Sequence, residues 1–448
     1  MNQSLSFKEI LAIGLMTFSL FLGAGNIIFP PTLGHDAGTD MWRAIGGFLI
    51  TGVGLPLLGV AAVARAGGGI QYITNRVHPI FSIIFSVLTY LAIGPLLAIP
   101  RTGAVAYEIS LAPFLPEAFR TSSWSLFLYT LVFFGVAYWL CLNPGKLVDR
   151  FGKVITPFMI VLLAILLIRG AIHPLGEVQA SALPNPFSKG FLQGYNTMDA
   201  LASLVFGGVI AAAVAERGVT NRGKQAKLIV QAGLIAVIGL GLLYVGLAYM
   251  GATSGPAVGT YANGGELITM LSERLLGSVG LILLALAITF ACLTTAVGLI
   301  TSCAEFFSRL TENKVSYRAM LVVFTIASLI IANFGLSTIL KISVPILVTL
   351  YPLAIVLIVL TLSDSLFRGL RGVYIGAIIG AAPLSLLDGV GATGVDVTSI
   401  TDALNQVPVL NSFMDLGLGW VIPALVGAII GGIFSPISPA YSESHSAT

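Results

Sequence analysis

The sequence predicts an all-α membrane protein of about twelve transmembrane helices, on three observations. Of its 448 residues 56% are hydrophobic and 9% charged, with mean hydropathy +0.98. A soluble domain carries about 25% charged residues because its surface must meet water. Here the solvent around most of the chain must be lipid. Apolar stretches of roughly 20 residues, the length of a helix across a bilayer core, recur throughout, whereas a barrel would show alternating segments of about ten. Lys and Arg, finally, crowd alternate connections.

The spans fall near 9–33, 43–65, 78–111, 124–142, 154–171, 198–215, 226–251, 278–307, 318–334, 338–362, 372–388 and 417–435. The first reads as a retained helix, since a strongly basic leader and a clean cleavage site are missing. With the N-terminus inside, inner connections hold 15 of the 22 Lys and Arg, outer ones only Arg43, Arg120, Arg169, Lys189 and Arg274. That bias places both termini in the cytoplasm. The longest polar connections, around 172–197, 252–277 and 389–416, are too short for a soluble domain. Cys141, Cys292 and Cys303 lie scattered in apolar segments and suggest neither disulfide nor metal. A net charge of +3 points to no nucleic-acid partner, and no obligate protein partner is evident.

Two helices look interrupted. The first span carries Ser19-Leu-Phe-Leu-Gly23-Ala24-Gly25-Asn26, and the sixth carries Ser203-Leu-Val-Phe206-Gly207-Gly208. Glycines free backbone N–H and C=O groups at mid-depth, and lipid penalises bare ones by several kcal/mol each. The sixth span starts five spans after the first, an odd number, so the second copy runs upside down. Paired breaks in inverted halves point to the binding site of a secondary transporter. The alternative is close helix packing, which glycine also serves. The halves are 9–171 and 198–362, with two additional spans in 372–435.

The string from Gly23 to Pro31, with Gly94-Pro95 to Pro100-Arg101-Thr102, Pro144 to Asp149, Gly194 to Asp199 and Ile342 to Pro345, resembles the bacterial branched-chain amino acid:cation symporters, the BrnQ-like family. The resemblance extends over nearly the whole length and implies uptake of leucine, isoleucine and valine with a cation. More distantly the chain resembles sodium-coupled transporters of the leucine-transporter fold, through Gly23 to Asn26, Ser203 to Gly207, and Phe290 to Thr295. That fold is a 5+5 inverted repeat with helices 1 and 6 broken.

The resemblance implies a sodium site made by the carbonyls of Ser19, Leu22 and Ala291 and the hydroxyls of Thr294 and Thr295. Neutral oxygens suit a hard monovalent cation, although adjacent threonines also bond back within their own helix. Asn26 matches a residue of a second sodium site, but Leu201 stands where that site expects a hydroxyl. The substrate's charged head is expected at Gly23, Ala24, Gly25, Asn26, Ser203, Gly207 and Gly208. Phe206 is expected against the branched tail, with lipid as the competing environment. One methylene is worth only about 1–3 kcal/mol, so such a pocket should accept all three branched substrates.

Charges within spans are functional candidates. Arg101 and Asp199 are estimated at roughly 9–12 Å outside the midplane, from about 1.5 Å per helical residue. There they could pair as an external gate or as a permanent structural pair. Glu305 and Arg309 read as a surface pair, and Lys341 as snorkelling outward. Proton coupling stays open beside sodium, because a carboxylate such as Asp199 can carry a proton. A channel needs a helix polar along one whole face, and an enzyme needs clustered His, Asp or Glu; the sequence offers neither.

Overall fold

Ser6 opens the first helix with a capping box: its hydroxyl accepts from the Glu9 amide, and the Glu9 carboxylate accepts from the Ser6 amide at 2.8 Å. That helix belongs to a computed structural model describing residues 5–143, 148–181, 183–255, 258–414 and 416–435. Residues 144–147 of the Pro144 to Asp149 string thus lie outside the described residues.

Each predicted span falls on helix. The first is two helices, α1 (Phe7–Phe21) and α2 (Ala24–Ala37), and the second is α3 (Met41–Leu49) and α4 (Leu55–Ala66) joined by a π-turn. The third, α5 (Pro79–Leu91) and α6 (Ala98–Ser110), is interrupted at Gly94-Pro95, where Gly94 leaves helical geometry. Then follow α7 (Ser123–Cys141) and α8 (Thr156–Ile172). The sixth span is the bent pair α9 (Pro186–Tyr195) and α10 (Asp199–Ala215), at 41°. The remainder are α11 (Arg222–Ala252), α12 (Gly264–Leu310, kinked at Gly277), α13 (Tyr317–Ala332), α14 (Leu336–Leu362), α15 (Arg371–Ala392) and α16 (Val421–Ile433). Among the described residues eight helices are long and apolar enough to cross a membrane, or nine with the bent pair; α13 and α16 are apolar but shorter.

The connections read as polar carry helix too. α9 lies within 172–197, the first turns of α12 fill 264–277, and two short helices, Thr398–Asn405 and Pro408–Met414, occupy the last long connection.

Packing is reciprocal. α1 and α2 run along α11, while α9 and α10 run along α4 and α3. α12 lies against α6 and α8, and α14 against α6. One continuous apolar core joins these helices. The outer faces are apolar as well: Leu128, Val132, Val136 and Trp139 of α7 all point outward. A Leu or Val left in water forfeits about 1.5–3 kcal/mol relative to burial, so this face belongs in lipid. The fold is an all-α, multi-pass membrane bundle.

Candidate functional site

The first break lies at Leu22-Gly23. In an unbroken helix the Gly23 amide would donate to the Ser19 carbonyl; here it donates to Asn26 Oδ1 at 3.0 Å. The Ser19 carbonyl is thereby released, and it meets α12. Thr294 Oγ1 lies 3.1 Å from Ser19 O and 3.0 Å from Ala291 O. Thr295 Oγ1 lies 3.4, 3.2 and 3.1 Å from the carbonyls of Ser19, Leu20 and Leu22. One hydroxyl proton cannot serve three carbonyls at once. The result is a buried cage of neutral oxygens with more acceptors than donors, and Ser19 Oγ beside it is buried without a partner. All five residues expected at a cation site converge here.

The second break is not where the glycines suggested. α10 runs helically through Gly207 and Gly208, and the interruption falls earlier, at Asn196-Thr197-Met198, with Met198 in the left-handed region at φ 66°. A glycine doublet permits a break without causing one, because α10 keeps its hydrogen-bond ladder by packing on α4. The sixth span consequently begins at Pro186 rather than 198.

Charged side chains serve the two ends of this second break. Arg101, reaching over from α6, donates through Nη1 to Asn196 O at 2.7 Å and through Nη2 to Thr197 O at 3.5 Å. A cation at a helix C-terminus and an acid in a first turn both complement the helix dipole. Asp199 is the first residue of α10. Its Oδ2 accepts from Asn26 Nδ2 at 2.5 Å and from the Tyr244 hydroxyl at 2.9 Å, and Asn26 also donates to Tyr244. The expected ion pair between Arg101 and Asp199 is absent: among the described residues neither has an ion-pair partner within 4.0 Å. Each charge answers a helix end and its neutral neighbours instead.

Both charges line one small cavity of about 20 Å³, with Gly23, Ala24, Asn26, Phe206 and Thr295. That volume holds about one water. Phe206 is buried and meets Phe21 edge-to-face at 5.6 Å, so it faces the interior rather than lipid. Gly25 sits directly under Arg101: a Cβ there would lie 2.7 Å from Nη2. Three expected substrate residues lie elsewhere. Ser203 donates to Ala200 O at 2.7 Å and packs toward Gly59, while Gly207 packs on Val63. Gly208 lines a second, larger space of about 570 Å³. That vestibule opens among Gln71, Tyr72, Glu216, Glu305 and Arg309, on the face with the Lys- and Arg-rich connections. Glu305 and Arg309 form the expected surface pair at 3.2 Å, and Lys341 is exposed. Away from the vestibule, side-chain hydrogen bonds join neighbouring segments, Asn263 donating to Glu108 at 2.5 Å and His35 bonded to Ser254 at 2.7 Å.

The sequence reading overlooked Tyr244, Asn196, Thr197 and the interruption of the third span. Gly94-Pro95 six residues before an intramembrane arginine was the signal for the last of these; Tyr244, one polar-tipped aromatic in an apolar span, offered little.

Two interrupted helices, a small cavity between them that Arg101 and Asp199 line, and a vestibule on one side fit a secondary-transporter fold. Solved structures agree on the fold. Mhp1, a nucleobase-cation-symport-1 family transporter, in a closed conformation with bromovinylhydantoin bound, is 15% identical with a TM-score of 0.61, over 98% of this chain and 96% of that one. MhsT in complex with L-phenylalanine is 15% identical with a TM-score of 0.52, over 97% of this chain and 99% of that one. Residues 6–437 match the family described as branched-chain amino acid transport protein. Branched-chain amino acid permease BraB of Bacillus subtilis (strain 168) is 49% identical over 441 residues, 97% of each chain. The branched-chain amino acid transport system 2 carrier protein of Pseudomonas aeruginosa is 46% identical, over 94% of this chain and 95% of that one. The chain belongs to this family of branched-chain amino acid transport proteins, a family of transporters rather than enzymes, in the bacterial inner membrane.

Proposed function

We propose that the protein takes up leucine, isoleucine and valine together with sodium, by alternating access. The cage formed by Ser19, Leu22, Ala291, Thr294 and Thr295 carries the sodium reading. It offers five neutral oxygens at the first break, and Thr295 belongs to both the cage and the cavity, with Gly23 packed beside it. An ion held there would fix the break in the geometry that admits substrate, which couples the two. Leucine's branched tail goes to Phe206 and Phe21, and its polar head to the first turn of α2 at Gly23 to Asn26. The 20 Å³ cavity must widen to accept it, by movement of these two rings.

The reciprocal packing of α1–α2 on α11 and of α9–α10 on α4 and α3 supports a twelve-span, 5+5 inverted repeat, since exchanging helices 1 with 6 and 2 with 7 maps one contact onto the other. The Lys- and Arg-rich connections on the vestibule's face support cytoplasmic termini and an inward-facing arrangement. A proton-coupled reading rests on Asp199, whose buried carboxylate already gathers two donors. Radiolabelled leucine uptake into proteoliposomes separates these readings. Uptake above equilibrium under an imposed sodium gradient at symmetric pH supports sodium; accumulation under a pH gradient alone supports the proton; no leucine uptake under either refutes the proposal.

A further inference from the structure

Arg101 and Asp199 are opposite charges, 3% and 2% exposed, that share a cavity without touching. Each acts electrostatically on the other across that cavity, but buried charges without direct pairing still carry a desolvation penalty, which is tolerated where function requires it. The partners of both are neutral. Of the five guanidinium N–H donors, the two bonds to Asn196 O and Thr197 O engage the terminal nitrogens, and Nε is buried with no partner. Asp199 receives two neutral donors on Oδ2, with the Thr197 hydroxyl also beside its carboxylate.

The two charges flank the first turn of α2 at consecutive residues. Arg101 lies over Gly25, whose missing side chain makes room for it, and Asp199 is bonded to Asn26. The amides of that turn have no intrahelical partner and favour an anion. A guanidinium beside free amides, with a carboxylate across a small cavity, matches a molecule bearing adjacent −1 and +1 charges.

We propose that Arg101 receives the α-carboxylate and Asp199 the α-ammonium of the transported amino acid, so that the zwitterion bridges two charges that the protein holds close without direct contact. This rests on the amino acid transport proposed above and gives the two charges a role distinct from an external gate. It also accounts for the arginine and aspartate avoiding each other: a direct pair would satisfy both charges and leave nothing for substrate.

The test uses three ligands on purified full-length protein in detergent with sodium present: leucine, leucinamide, which lacks the carboxylate charge, and 4-methylpentanoate, which lacks the ammonium. Dissociation constants come from ligand-dependent thermal shifts. Wild type should prefer leucine to each analogue by roughly ten- to a hundredfold, the size of one charge-assisted bond. In Arg101→Gln the preference over leucinamide should fall to about one, with the preference over 4-methylpentanoate kept. Asp199→Asn should do the reverse. A merely structural role moves both preferences together, and that outcome, or no change in either, overturns the proposal. Should Arg101→Gln not assemble, Arg101→Lys carries the test: it must weaken leucine more than leucinamide, and equal weakening overturns it. Wild-type protein that neither binds nor transports leucine refutes the transport reading itself, a result separate from an uncrossed pattern in the variants.

Discussion

The two broken helices solve one problem by different chemistry. At the first break glycine gives way, Asn26 takes the stranded Gly23 amide, and the released carbonyls face the threonine hydroxyls of α12. At the second break no glycine is involved. Asn196-Thr197-Met198 turns through a left-handed methionine, and Arg101 and Asp199 complement the exposed helix ends. An interrupted helix is therefore defined by what satisfies its freed groups. Neutral oxygens leave room for a mobile cation, whereas fixed charges hold their break without one and remain available to a charged substrate.

The largest effect should come from stripping the neutral break. Thr294→Ala with Thr295→Ala removes both hydroxyls while leaving the apolar packing nearly intact. The sodium concentration for half-maximal leucine uptake should rise roughly a hundredfold, at about tenfold for each lost oxygen–ion contact. Leucine preference over its analogues should persist, because the charged break is untouched. Unchanged sodium dependence in proteoliposomes assigns the threonines to intrahelical bonding alone.

Next is the point where the two breaks meet. Gly25→Ala puts a Cβ 2.7 Å from Arg101 Nη2 and 2.9 Å from Asn196 O. The guanidinium can swing away, but the Asn196 carbonyl is backbone and cannot yield as easily. Leucine uptake should drop more than tenfold with normal membrane insertion, the strain being about 1–3 kcal/mol. Wild-type uptake in this variant means that the two breaks are not coupled through Gly25.

Phe206→Ala follows. It opens space between Phe21 and the cavity without touching either break's polar groups. Competition by phenylalanine against labelled leucine should strengthen about tenfold relative to valine, in line with the few kcal/mol that pocket shape controls. Identical competition profiles place the branched tail elsewhere.

Most of the bundle was legible because lipid imposes a crude, long-range rule: every stretch of about 20 apolar residues must be helix. The first break was legible since Gly23 and Gly25 lie beside Asn26, a residue able to cap what they free. The second was not. Its signal is spread over three places, a methionine turn at Met198, an arginine 95 residues earlier than Asn196, and a tyrosine on α11, joined only by folding. Charge and depth mark Arg101 and Asp199 as candidates, but their spacing says nothing about which neutral partners each prefers to the other. Ser203-Leu-Val-Phe206-Gly207 attracted the break to the wrong place by composition.

That misplacement supplies the smallest and most discriminating prediction. If the second break were at the glycine doublet, a Cβ at either position would hinder it, and both alanine variants would lose uptake. With the break at Asn196 to Met198, each glycine sits inside a regular helix and only its neighbours matter. A Cβ on Gly208 meets nothing within 4 Å, so Gly208→Ala should leave leucine uptake within about twofold of wild type, with stability equal or raised by up to about 1 kcal/mol from the better helix former. A Cβ on Gly207 lies 2.7 Å from Val63 Cβ, on a branched side chain whose rotamer is stiff, so Gly207→Ala should force α10 off α4 and cost about 1–3 kcal/mol, read as lowered thermal stability of the purified protein. The asymmetry separates packing from breaking: equal loss of transport in both variants would return the interruption to the doublet, whereas a silent Gly208→Ala beside a destabilised Gly207→Ala leaves it at the methionine turn.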